Sequence, residues 1–110
     1  MARKYYNKLI RDRIPELIER DNGTPSLSIL DAPSFQKALK EKLVEEAKEV
    51  LGAESKEGFI DELGDLLEVI DTLLTNDGLS IDEVRSRQAK KRAARGGFEQ
   101  KIFLSYVDKT

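Results

Sequence analysis

From Asp31 onward, apolar residues recur at helical spacing, interrupted at points where the local chemistry stops a helix. Asp31 or Ser34 is able to cap a helix that tolerates Pro33 in its first turn and runs to Leu51, where Gly52 ends it. Ser55 opens a second helix carrying Phe59, Ile60, Leu63, Leu66, Leu67, Ile70, Leu73 and Leu74, closed by Asn76-Asp77-Gly78. Ser80-Ile81-Asp82-Glu83 has the form of a capping box, and the third helix it begins ends near Gly96-Gly97. Upstream, Pro15 suits the first turn of a short helix through Asp21. Leu27 to Leu30 reads as a weak strand or extended connector, and Phe98 to Val107 as extended. The short Gly52 to Glu54 connector requires the two long helices to lie antiparallel. The fold class is therefore all-α: a helical hairpin plus a third helix, with short extended N- and C-terminal segments.

Two absences narrow the chemistry. With no cysteine and no histidine in 110 residues, disulfides, thiolate sites, the usual zinc ligands and serine–histidine machinery are excluded. Catalysis must then run on carboxylates, Lys, Tyr or a metal. The length suits one domain, residues 1–110, and no apolar run follows the basic start, so a cytoplasmic protein without a membrane span is expected. Charged residues make up 36% of the chain with a net charge of −2, which gives no basic field for nucleic acid. The charges are segregated nonetheless. Acids concentrate between Glu41 and Glu83, while Lys and Arg gather at the N-terminus and between Arg85 and Lys101.

The acids carry the functional reading. Glu45-Glu46-Ala47-Lys48-Glu49 on one long helix and Glu62-Leu63-Gly64-Asp65 on the next each set carboxylates three apart, on one helix face. At about 100° per residue, Glu46 falls at the edge of the core stripe, and Glu62 falls inside the apolar arc of Phe59, Leu63, Leu66, Val69, Ile70 and Leu73. An unpaired buried carboxylate costs several kcal/mol or becomes protonated, so Glu62 needs a partner. A bound cation is the simplest one. Oxygen-only ligands favour a hard ion, Mg²⁺ with Mn²⁺ as a substitute, able to neutralise phosphate charge and activate water while Glu45 orients it. The competing reading is a solvated acidic face on each helix.

These residues resemble the all-α nucleoside triphosphate pyrophosphohydrolases, the superfamily of MazG-like enzymes, dimeric dUTPases and phosphoribosyl-ATP pyrophosphohydrolase. The shared mark is Glu-Glu-x-x-Glu followed by Glu-x-x-Asp, here Glu45, Glu46, Glu49, Glu62 and Asp65. Tyr6 to Glu16 (YNKLIRDRIPE) and Arg95-Gly96-Gly97-Phe98-Glu99 are similar to the opening and closing signatures of a small single-domain house-cleaning branch. The resemblance implies that Glu46, Glu49, Glu62 and Asp65 ligate Mg²⁺ with Glu45 in support, the five forming the catalytic set. It also implies that Lys8, Arg11 and Arg95 reach the triphosphate, with Lys91 beside them. The expected activity is Mg²⁺-dependent hydrolysis of a nucleoside triphosphate, canonical or not, to monophosphate and pyrophosphate. Phosphoribosyl-ATP hydrolysis in histidine biosynthesis and a non-catalytic nucleotide- or partner-binding helical dimer are the alternatives. Two long helices and a third cannot enclose a bundle core alone, so a homodimer with a four-helix-bundle core is expected, without nucleic-acid or membrane partners.

Overall fold

The computed structural model describes residues 2–109, and among them are four α-helices and no strand. They are α1 (Ile14–Arg20), α2 (Ala32–Gly52), α3 (Lys56–Asn76) and α4 (Ile81–Arg95). The chain divides into two compact units, Met1–Gly78 and Leu79–Thr110.

Each long helix starts where its cap satisfies an orphan donor. The Asp31 carboxylate accepts from the Ser34 N–H at 2.9 Å, and the Ser55 hydroxyl accepts from the Gly58 N–H at 3.0 Å. Asp31 is thereby held below its usual pKa, chiefly by hydrogen bonds from Ser34. The capping box at Ser80 and Glu83 forms as the sequence predicts. α4 stops at Gly96, whose φ of +83° is cheap only for glycine.

In the first unit, α2 and α3 pack as the expected antiparallel hairpin. At its open end the Gln36 amide, near the start of α2, donates to both carboxylate oxygens of Asp77, just past α3, at 3.1 Å each. The best-buried residues are Leu39, Val69 and, unexpectedly, Glu46. Half-buried Leu43, Val50, Leu66, Ile70 and Leu73 extend this core, with Leu9, Ile10, Ile14 and Ile18 from the N-terminal segment and α1. Val44, Leu51, Phe59, Ile60, Leu63 and Leu67 are exposed instead, so the long helices have apolar surface beyond what one hairpin covers.

Leu27 to Leu30 forms no strand. Ile29 is 98% exposed and among the described residues no strand supplies a ladder, so the segment is an irregular connector. In the second unit every described residue is exposed, including the apolar run Ile102-Phe103-Leu104. Among the described residues no helix is long and apolar enough to cross a membrane.

Candidate metal and phosphate site

The hairpin brings acids from both arms together. One carboxylate oxygen each from Glu46 on α2 and from Glu62 and Asp65 on α3 lie within 4.8 Å of one another. Spacing along α3 puts Glu62 and Asp65 on one face, and antiparallel packing brings that face level with Glu46. Glu46 sits deeper than its helical phase suggested, being 8% exposed beside the Leu39–Val69 core. Burial and the charges of Asp65, Glu49, Glu46 and Asp61 push the Glu62 carboxyl above its usual pKa. Three hard oxygen donors whose charges repel one another fit a divalent cation, which would relieve that repulsion.

The remaining acids stand at the edge of this trio. Glu49 is exposed and outside the 4.8 Å group, although its charge acts on Glu62. Glu45 faces cations: Lys8 Nζ is 3.4 Å from its Oε1 and Lys42 Nζ is 2.9 Å from its Oε2. The Lys42 hydrogen bond is the main reason that Glu45 is held below its usual pKa, against a smaller opposing effect of burial.

The N-terminal segment supplies two of the expected phosphate-binding cations. Lys8 reaches Glu45, and Arg11 donates from Nη2 to Asp65 Oδ1 at 2.8 Å. Lys8 Nζ also stands 5.8 Å from the Tyr6 ring centroid. Lys91 and Arg95 belong to the second unit, exposed near the C-terminal end of α4, where positive charge also complements the helix dipole.

Sequence reasoning overlooked Lys42. Its ammonium bridges Glu45 and Glu46, the latter at 3.5 Å, and its side chain is only 17% exposed. The signal was present, since Lys42 precedes Glu45 by three and Glu46 by four residues on one helix, the spacing at which side chains meet.

No curated protein and no solved structure matches the chain. The family model for phosphoribosyl-ATP pyrophosphohydrolase matches residues 5–92, which include the acidic trio, Glu45, Glu49, Lys42, Lys8 and Arg11 but not Arg95. That match covers most of the chain, and the converging carboxylates with adjoining cations are what hydrolysis of a phosphoanhydride needs. The chain belongs to the phosphoribosyl-ATP pyrophosphohydrolase family, within the MazG-like all-α superfamily, and is a pyrophosphohydrolase acting on a nucleotide substrate.

Proposed function

We propose that this protein is a Mg²⁺-dependent nucleoside triphosphate pyrophosphohydrolase that converts a ribo- or deoxyribonucleotide, canonical or noncanonical, to its monophosphate and pyrophosphate. The observation that carries the reading is the convergence of Glu46, Glu62 and Asp65 from two helices, with Lys8 and Arg11 alongside.

Glu46, Glu62 and Asp65 would hold the ion, with Glu49 as a fourth carboxylate on the adjoining turn of α2. A bound divalent ion supplies neutralisation of phosphate charge and a water of lowered pKa. Glu45, held in place by Lys8 and Lys42, accepts a hydrogen bond from the attacking water and orients it. Water adds to the α-phosphorus as the bond to the bridging oxygen breaks, the electron pair leaves with pyrophosphate, and the proton lost by the water passes through Glu45 to solvent. Lys8 and Arg11 bind the phosphate oxygens and offset the charge that grows on the leaving group.

A homodimer is part of this reading. At about 100° per residue, Phe59, Leu63 and Leu67 lie on the side of α3 roughly opposite Asp65. Their exposure, with that of Val44 and Leu51 on α2, supports burial of this face against a second hairpin. A cytoplasmic location accords with the lack of cysteine.

The family match favours a second substrate, phosphoribosyl-ATP, cleaved at the same α–β linkage to release pyrophosphate. One experiment separates the two. The protein is incubated with Mg²⁺ and a panel of canonical, deoxy and damaged triphosphates plus phosphoribosyl-ATP, and pyrophosphate is resolved from orthophosphate. Equimolar monophosphate and pyrophosphate from a triphosphate is the expected result. Turnover of phosphoribosyl-ATP alone would transfer the protein to the biosynthetic reaction, and release of orthophosphate alone would refute the proposed cleavage point.

A further inference from the structure

Glu45 has both carboxylate oxygens occupied by cations of its own chain, Oε1 by Lys8 and Oε2 by Lys42. It therefore stands apart from the Glu46, Glu62 and Asp65 trio although it adjoins Glu46 in sequence. Of the three cations around the acids, Lys8 and Arg11 have side chains 42% and 57% exposed, and both come from the N-terminal segment. Lys42 differs. It is 17% exposed and is tied to its partners by the helix they share. Moving its ammonium to water would take the shared cation from two carboxylates, one of them buried, so it has no inexpensive alternative position.

The placement of the acids points the same way. The only trio among the described residues close enough to share an ion includes neither Glu45 nor Glu49.

We propose that Lys42 is a positioning residue that takes the place of a second divalent ion, so that without nucleotide each chain binds one, on Glu46, Glu62 and Asp65. This rests on the metal-dependent reading above and adds the metal count and the residue that sets it. An ammonium brings one charge where a divalent ion brings two, yet it cannot be removed by a chelator. It holds the Glu45 carboxylate in its water-orienting position before substrate arrives.

The test counts Mn²⁺ bound per chain, without nucleotide, from the paramagnetic resonance signal of the free ion during titration. One site is expected for the wild-type chain and two for Lys42→Met, with the second lost again in Lys42→Met/Glu45→Gln. Lys42→Arg, which restores the charge, should return the count to one. Lys42→Gln is read in the same way should Lys42→Met lose its helical circular dichroism. A merely structural lysine would leave one site of weaker affinity in both neutral variants, and that result would overturn the proposal. Two sites in the wild-type chain would also overturn it while leaving a metal-dependent hydrolase intact. No site in a fully helical wild-type chain would overturn the hydrolase reading beneath it.

Discussion

Replacing Glu46 by Gln removes one negative charge at almost constant volume and should move two quantities in opposite directions. In the metal-free protein, Glu46 has oxygens within 4.8 Å of those of Glu62 and Asp65 and lies 3.5 Å from Lys42. With an effective dielectric constant of about 20, each repulsion is about 3.5 kcal/mol and the attraction about 4.7 kcal/mol, so repulsion exceeds attraction by about 2 kcal/mol. Solvent reaches the site, the Asp65 side chain being 42% exposed, and screening reduces the net to about 1 kcal/mol. Glu46→Gln should therefore raise the melting temperature in chelator by roughly 4–8 °C. Metal binding should fall. At the ligand distance of about 2.1 Å that Mg²⁺ prefers, a divalent ion and a carboxylate interact by about 4 kcal/mol even at the dielectric constant of water, which is about a thousandfold in affinity. Wild-type protein with Mg²⁺ at a hundredfold excess over Kd gains about 2.7 kcal/mol, and the variant at the same concentration gains almost nothing. Thermal melts in chelator and in Mg²⁺, with calorimetric titration of the ion, measure both effects. A variant that melts lower than wild type in chelator while retaining its Mg²⁺ affinity within threefold would show Glu46 to be an ordinary paired core residue.

Further expectations concern the neighbouring groups and the exposed face. Glu62 has a folded pKa above its unfolded value of 4.5, so the stability it contributes is fully present below pH 4.5 and is lost as pH rises through the folded value. In chelator, the melting temperature of wild type relative to Glu62→Gln should therefore decline with rising pH across that window, and a flat difference would contradict the assigned burial and repulsion. Arg11→Gln should lower kcat/KM for a triphosphate by about tenfold or more, whereas an arginine that only braces Asp65 would change metal affinity and leave KM alone. Ser55→Ala removes the acceptor for the Gly58 N–H and should cost about 0.5–2 kcal/mol by urea denaturation, with metal affinity unchanged. Leu67→Glu places a charge on the exposed apolar face of α3 and should convert a dimer to monomer in analytical ultracentrifugation; an unchanged sedimentation coefficient would move the interface elsewhere.

The helices were legible in the chain because their ends are local chemistry. Asp31, Ser55 and Ser80 each meet an N–H three residues on, and Gly96 turns where other residues pay a conformational penalty. The acidic spacing and the family followed from the same local reading, since residues three and four apart on a helix must face one way. Local spacing gives the direction of each side chain about its own axis. It says nothing of how far one helix is rotated or slid against its neighbour. Packing alone therefore decided that Glu46 is buried, that Glu62 and Asp65 meet it while Glu49 stays outside the trio, and that Arg11 lies on Asp65. Lys42 was readable by spacing to Glu45 and Glu46, but a lysine on an acidic helix is usually solvated, and only its burial distinguishes it. Leu27 to Leu30 failed as a strand for the complementary reason: an extended segment becomes a strand only when another supplies its hydrogen bonds, and that is a property of the fold.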